Sequence, residues 1–311
     1  MEMIRFCLKH IVQMLIFIVF VSTLTFFLVR IAPGDPAYLL LTANGVPVSE
    51  EALMSLRQEL GLTESLGNQY VQWIANVFTW QWGTSYVSKE PVLEELLKRL
   101  PATIELATAG LLVMLSVTLI LGISTAVYSS GWLDRFGRTL ALLGSAIPSY
   151  WLGFLLIYLF SVRYGWLPSM GYGTWKHLVL PALTLGVGMG TVYARLLRSD
   201  MLEMMNHHFV KASKARGLSN SRIILFQLLR HAALPIVAMM GTSFAFMLGG
   251  SMIVESIFSW PGLGKYIMKA IQNRDYPVIQ GYVVFASFLF VTIHFIVDLI
   301  SVLVDPRLRV R

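Results

Sequence analysis

Long apolar runs separated by polar segments are the dominant pattern along this chain of 311 residues. A helix needs about 20 predominantly apolar residues to cross the hydrocarbon core of a bilayer. Six runs approach or exceed that length, at residues 11–29, 103–128, 139–161, 178–197, 232–254 and 281–304. Helices satisfy their own backbone hydrogen bonds in lipid, and the alternation of a membrane β-barrel is absent from the sequence. The pattern predicts an all-α integral membrane protein with about six transmembrane helices.

The first apolar run carries a basic flank, Arg5 and Lys9, as a secretory signal does. Residues 11–29 are longer than the apolar core of a typical signal, and no small-x-small cleavage pattern follows them. We therefore expect a retained first transmembrane helix.

Two longer polar segments interrupt the runs, at residues 31–101 and 198–231. The first contains an amphipathic stretch from Ser49 to Leu62. A second amphipathic helix is predicted from Val92 to Leu100, ended by Pro101. Five aromatic side chains suit a position against the membrane interface: Tyr70, Trp73, Phe78, Trp80 and Trp82.

Composition supports lipid as the solvent, because 56% of residues are hydrophobic and only 13% are charged. A soluble domain carries about 25% charged residues. The net charge of +7 does not indicate a nucleic-acid partner, since the basic residues lie between apolar runs. If both termini lie in the cytoplasm, most of the basic residues outside the long 31–101 segment fall in cytoplasmic loops, as the positive-inside rule expects. The predicted organisation is a first helix within 1–30, an extracytoplasmic segment at 31–101 and a transmembrane core at 102–311.

No pattern of catalytic or metal-binding residues stands out. The sequence Gly262-Leu-Gly264-Lys265 lacks the spacing and the Ser or Thr of a phosphate-binding loop. The adjacent His207 and His208 point about 100° apart in a helix and rarely chelate together. The single cysteine, Cys7, excludes an internal disulfide. We predict no catalytic residue, no metal site and no cofactor in this chain.

Residues 206–235 read as two short helices joined at Gly217, which suits a left-handed helix terminus. Ser219 is expected to cap the second helix, from about Asn220 to Arg230. The first helix offers a shallow face of Phe209, Ala212, Ser213 and Ala215. Basic residues surround it: Lys211, Lys214 and Arg216. From the residues alone, a solvated basic loop and a docking surface for another protein are equally good interpretations.

The spacing of Lys211-Ala212-Ser213, Gly217 and Leu234-Pro235 resembles the EAA signature of importer permeases of the ABC class. Lys in place of Glu, and Ser in place of the second Ala, resemble the peptide/nickel branch. Other segments are similar to the same family: Pro33-Gly34-Asp35-Pro36-Ala37, Leu100-Pro101-Ala102-Thr103, Ser259-Trp260-Pro261-Gly262, Arg274-Asp275-Tyr276-Pro277-Val278-Ile279-Gln280 and Asp305-Pro306-Arg307.

The resemblance implies a type I ABC importer permease fold in a bacterial inner membrane. It implies a second homologous permease, two ATPase subunits that bind ATP and Mg²⁺, and an extracytoplasmic substrate-binding protein. The coupling loop at 198–231 would dock on the ATPase through Phe209 and the stretch from Lys211 to Gly217. Transport would proceed by alternating access.

For the translocation path, Ser251, Glu255, Met247 and Met189 are the predicted residues. Glu255 follows Gly249-Gly250-Ser251, which thins the fifth helix. An acid at headgroup level is an equal alternative for Glu255, and core packing is the alternative for the methionines. Gly186 and Gly190 have the small-xxx-small spacing that favours close helix packing.

Cargo is predicted from one outer loop. Residues 167–173 are short and resemble the nickel branch, so nickel or a related metal, free or chelated, is the preferred cargo. The alternative is a di- or oligopeptide. Two interpretations from other classes are a stand-alone channel and a membrane-embedded enzyme. An ATPase partner for the 198–231 loop would separate the importer from both.

Overall fold

A computed structural model describes residues 2–43 and 48–304, and their regular elements are helices. The elements in chain order are α1 (Glu2–Ile31), α2 (Pro36–Ala43), α3 (Glu50–Glu59), α4 (Leu66–Phe78), α5 (Val92–Val127), α6 (Trp132–Ala146), α7 (Ser149–Leu156), a π-helical segment (Ile157–Arg163), α8 (Trp175–Met205), α9 (His208–Ala215), α10 (Asn220–Ile223), a second π-helical segment (Ile224–Leu228), α11 (Leu229–Gly250), α12 (Met252–Ile257), α13 (Leu263–Gln272) and α14 (Tyr276–Val304). The all-α fold class is confirmed.

Within the described residues, four helices are long and apolar enough to cross a membrane. They are Val12–Ile31, Val92–Val127, Trp175–Met205 and Tyr276–Ile300. The pair Trp132–Ala146 and Ser149–Arg163 counts as a fifth span if both arms belong to one crossing. The window at 232–254 falls on α11, whose described apolar stretch is Met239–Gly249.

Prolines explain two departures from the predicted elements. The expected helix end at Pro101 is wrong, because α5 continues through this residue to Val127. Leu96, Ala102 and Leu106 are buried on both sides of it, so packing holds the helix together across the missing donor. The window at 139–161 is not one straight helix but two arms at 107°. Pro148 caps the second arm, and the preceding Ile147 is extended, as a residue before proline prefers.

The chain forms two compact units, the first comprising Met1–Thr103 and Pro261–Thr292. In this unit α4 packs against α1. The indole N–H of Trp73 donates to the Ser22 hydroxyl at 2.8 Å, and Tyr70 shares a 2.9 Å hydrogen bond with Thr23. Of the five aromatic residues predicted for the interface, Trp73 and Trp82 are buried, whereas Phe78 and Trp80 are exposed. Trp73 fixes the polar segment to α1, and Trp82 packs edge-on against Phe285 of α14.

The second unit comprises Ile104–Trp260 and Ile293–Arg311. Here α6 and α7 pack against α8. The carboxylate of the buried Asp134 accepts hydrogen bonds from Arg198 at 2.9 and 3.1 Å. A side chain at Gly190 would place its Cβ 2.9 Å from the Met114 carbonyl oxygen, so α5 and α8 meet backbone to backbone. The close packing predicted for Gly186 and Gly190 is confirmed.

Candidate functional site

The predicted coupling helix is α9, and it ends in a glycine-dependent motif. Gly217 has a φ of 78°, the left-handed conformation expected from the sequence. Its N–H donates to the Lys214 carbonyl at 2.9 Å, and the N–H of Leu218 donates to the Ser213 carbonyl at 3.2 Å. These two bonds form a Schellman motif, which satisfies carbonyls that a helix end leaves open.

The inner side of α9 is anchored in an apolar cluster. Val210 is 2% exposed and packs with residues of the long helices and of the segment after Gly217. The buried members are Ala126, Leu197, Met201, Val210, Ile223 and Leu228, with Phe209 and Leu218 partly buried against them. The cluster ties α9 to the ends of two predicted transmembrane helices, α5 and α8.

The outer side of α9 remains open. Lys211, Ala212, Lys214, Ala215 and Arg216 are exposed. A Cβ added at Gly217 would meet no atom within 4 Å. Small residues flanked by cations therefore form an accessible strip, and the predicted docking role of this strip stays a prediction.

Ser213 departs from the predicted docking face. Its side chain is 8% exposed and turned inward. The hydroxyl donates to the Oε1 atom of Gln227 at 2.9 Å. The helix after Gly217 explains this geometry, because Gln227 lies in the π-helical segment opposite α9. Ser213 thus connects α9 to the next helix.

That next helix is longer than predicted. Ser219 caps it as expected, accepting a hydrogen bond from the Arg222 N–H at 3.4 Å. The predicted end near Arg230 is wrong, because α10, the π-helical segment and α11 follow one another without a break to Gly250. The Leu234-Pro235 pair of the signature lies inside α11. The Asp305-Pro306-Arg307 motif lies outside the described residues.

A cavity of about 270 Å³ lies beside the bend between α6 and α7. Its lining has hydroxyl and apolar groups and no charged side chain: Ser145, Ile147, Ser149, Leu152, Thr184, Leu185, Gly188, Met189, Val192, Phe246, Ile253 and Val254. Met189 is the one predicted path residue among them. The lining can offer hydrogen bonds through hydroxyls without holding a fixed charge.

The other three predicted path residues are fully buried. The Ser251 hydroxyl donates to the Oε1 atom of Glu255 at 2.7 Å. Met247 belongs to an apolar cluster with Met114, against which Met189 and Met240 pack. The methionines are packed as core residues are, and the transport role of the four residues stays a prediction.

Two sequence motifs that are far apart in the chain meet in the first unit. Arg274 packs its guanidinium on Gly34, whose φ is 118°, and a Cβ there would collide with it. Asp275 accepts hydrogen bonds from the Ser85 hydroxyl and from the N–H of Tyr86, the latter at 3.1 Å. The sequence identified these motifs only by resemblance and did not indicate that they touch.

Residues 255–280, between the fifth and sixth predicted apolar runs, contain helical structure that the sequence analysis does not predict. The helix α13 buries Leu263, Ile267 and Ala270 on one side. The spacing of these three positions is the helical signal that was available. Gly262, noted for its likeness to a phosphate-binding loop, precedes α13 as its N-cap residue.

The loop that favoured nickel packs on the end of α12. The Gly171 N–H donates to the Phe258 carbonyl at 2.9 Å, and the Tyr172 ring meets Trp260 edge-on at 4.8 Å between centroids. The Tyr172 hydroxyl donates to the Glu105 carboxylate at 2.9 Å. These contacts hold the loop against α12 and α5, and none of them is specific to a metal.

Long apolar helices, a short helix with an exposed basic face and an uncharged cavity between helices are features of a membrane transport subunit. Two family models match almost the whole chain: one described as binding-protein-dependent transport system inner membrane component at residues 118–310, and its N-terminal counterpart at residues 3–107. The chain belongs to this family of ABC importer permeases.

Relatives and solved structures agree with that assignment. The glutathione transport system permease protein of Salmonella typhimurium is 37% identical over 99% of both chains. That of Escherichia coli (strain K12) is 36% identical with the same coverage. The inward-facing MetNI methionine ABC transporter matches with a TM-score of 0.59 at 21% identity, covering 68% of this chain and 97% of that one. An amino acid ABC transporter matches with a TM-score of 0.52 at 16% identity, covering 67% and 94%.

Family membership settles the coarse function. The chain is a multi-pass inner-membrane permease with the type I fold, and its relatives are translocation subunits and not catalysts. The family also implies ATPase subunits, a second permease and a substrate-binding protein as partners.

Proposed function

We propose that this chain imports a short peptide, glutathione or a close analogue, as one of two permeases in an ATP-driven importer. The observation that carries the proposal is the 37% identity, over 99% of the chain, to permeases named for glutathione transport. It favours the peptide alternative over the nickel cargo preferred from the 167–173 loop.

The cavity at the α6–α7 bend supports a peptide cargo. Hydroxyls of Ser145, Ser149 and Thr184 can bond to peptide N–H and C=O groups as these pass. Divalent transition metals instead seek imidazole, thiolate or carboxylate ligands, and the lining contains none of these. Weak neutral contacts also favour release, which a transport path needs as much as binding.

Coupling in this proposal runs from the partner ATPase to α11. The partner subunits bind ATP and Mg²⁺, and closure of the ATPase pair moves the strip from Lys211 to Gly217. The apolar cluster under α9 and the bond from Ser213 to Gln227 pass that motion to the continuous helix ending at Gly250. The second permease, two ATPases and the external binding protein complete the assembly, with both termini of this chain in the cytoplasm.

Uptake in a strain that lacks the gene tests the cargo. Labelled glutathione, a labelled dipeptide and labelled nickel are compared, the last with and without culture supernatant as a source of chelator. We expect loss of glutathione or dipeptide uptake, restored by the intact gene. Loss of nickel uptake alone would contradict the peptide proposal while leaving the permease assignment in place.

Cross-linking tests the docking strip. Cys7 is the single cysteine, so Cys7→Ser gives a background for introduced thiols. We expect Ala212→Cys to cross-link to the partner ATPase in membranes. Tyr172→Cys, on the predicted opposite side, is the matched control and is expected to form no such product. A control that cross-links as well as Ala212→Cys would refute the docking assignment.

A further inference from the structure

The first unit contains a small polar pocket. It shares no lining residue with the cavity at the α6–α7 bend, and it is separate from the docking strip on α9. Its volume is about 100 Å³, and it opens between the start of α5, residues 85–88 and α13. The side chains that matter are Ser88, Arg99, Tyr266, Lys269 and Asp275. The space fits a carboxylate or a few waters and is well below the roughly 300 Å³ at which small-molecule sites begin.

One wall of the pocket is fixed and already satisfied. Asp275 is 2% exposed and accepts hydrogen bonds from the Ser85 hydroxyl, from Tyr86 N–H and, at 3.4 Å, from Val87 N–H. These donors occupy the Asp275 carboxylate, and the cations Arg99 and Lys269 lie on the other walls. The pocket is therefore not arranged to bind a cation.

The opposite wall has a buried phenol. The Tyr266 hydroxyl meets no hydrogen-bond partner of good geometry among the described residues, and the nearby Ser85 hydroxyl already donates its proton to Asp275. Burial, with a further contribution from Asp275, raises the pKa of this phenol to about 12, so it keeps its proton. A buried hydroxyl left unpaired costs free energy, and an acceptor entering the pocket would recover it.

Cations surround that hydroxyl. The Arg99 guanidinium carbon lies 4.4 Å from the centre of the Tyr266 ring. Arg99 bonds to Glu95 at 2.6 Å, and its guanidinium has five N–H donors in all, so further donors remain. Lys269 is exposed at the rim and has no ion pair among the described residues. Two cationic side chains thus share the pocket with one carboxylate that already accepts three hydrogen bonds, which favours an anionic guest.

We propose that this pocket receives an acidic side chain of the extracytoplasmic binding protein. The inference rests on the proposed function, in which such a protein delivers cargo to the side of the membrane where residues 31–101 lie. A protein side chain fits better than free cargo, because the pocket is too small for a peptide yet open at the surface. It would fix the docked binding protein through hydrogen bonds to a carboxylate.

Binding of the cognate binding protein to the purified complex in lipid nanodiscs tests the proposal. Tyr266→Phe removes only the hydroxyl, and we expect it to raise Kd about tenfold, the effect of losing one hydrogen bond to a charged group. Lys269→Glu is expected to raise Kd further and to weaken its dependence on salt. Lys265→Glu, one turn away on α13 and outside the pocket, is the matched control and is expected to change Kd less than twofold.

A charge exchange provides a second readout. Replacing the docking Asp or Glu of the binding protein by Lys is expected to restore binding to Lys269→Glu and to no other variant. Unchanged Kd in Tyr266→Phe and Lys269→Glu, or equal weakening in Lys265→Glu, would overturn the proposal. The proposal would also be overturned if these variants bound cargo more weakly but bound the binding protein as tightly as the wild type. A wild-type complex that imports without any binding protein would instead overturn the proposed function itself, and the pocket assignment with it.

Discussion

Gly217 combines a backbone requirement with an exposed position, and substitutions can separate the two. Its left-handed φ is unfavourable for β-branched residues but tolerated by Asn. We expect Gly217→Val to reach the membrane in normal amount and to lose transport, because the turn after α9 changes. Gly217→Asn is expected to retain transport. The measurement is uptake per amount of membrane protein.

Equal loss in both Gly217 variants would show that bulk at the docking surface matters and the backbone does not. Gly217→Leu extends the series to a large side chain without β-branching. Wild-type transport by a stable Gly217→Leu protein would contradict the coupling role of this turn.

The bond between Ser213 and Gln227 gives a second prediction at this scale. Ser213→Ala removes the donor to the Gln227 amide oxygen, and Gln227→Leu removes the acceptor of the Ser213 hydroxyl. We expect each variant to lose part of the coupling between ATP hydrolysis and transport, and the double variant to lose no more than one of them. ATPase rate and uptake are measured on the same reconstituted complex. Additive losses in the double variant would show that the two side chains act independently.

Local conformation was predictable at single residues, whereas distant partners were not. The turn at Gly217 and the cap at Ser219 follow from residue type and neighbouring spacing, and both are confirmed. The inward position of Ser213 depends on Gln227, fourteen positions along the chain, which comes back onto α9 only after the turn. No local pattern encodes that return.

At the scale of elements, the packing of α5 on α8 depends on glycine. A Cβ at Gly186 would collide with the Gly110 carbonyl oxygen, whereas one at Gly188 would have its nearest neighbour, the Gly144 carbonyl oxygen, 3.8 Å away. We expect Gly186→Ala to lower the free energy of unfolding by about 1–3 kcal/mol, the cost of overpacking. Gly188→Ala is the matched control and is expected to be neutral. The melting temperature of the detergent-solubilised protein measures both.

Hydrophobic length predicted the long helices well and their interruptions poorly. Pro101 was expected to end a helix, yet apolar neighbours carry α5 through it. Pro148 lies inside a predicted single span and instead marks a bend of 107°. Pro101 and Pro148 each lack a backbone N–H donor. Whether the helix continues or bends there depends on the residues packed around the proline. Those residues lie elsewhere in the chain, so the local sequence does not reveal them.

At the scale of the molecule, the first unit is assembled from segments far apart in sequence. Asp275 holds residues 85–87, and Arg274 packs on Gly34. We expect Asp275→Ala to release the 85–90 turn, with a loss of about 2–4 kcal/mol because buried donors lose a charged acceptor. Limited proteolysis of the purified complex should then cut within this turn. Glu90→Gln, exposed in the same turn, is the control and should leave the cleavage pattern unchanged.

The same arrangement has a consequence for biosynthesis. The ribosome adds about 5–20 residues per second. The segment ending at Thr103 therefore waits roughly 8–30 seconds, at that rate, while Ile104–Trp260 is made before its partners at Pro261–Thr292 emerge. During that interval the turn at 85–90 has no Asp275 to hold it. Newly made chains should be most sensitive to quality-control proteases in this window, and slower translation of the second half would lengthen it.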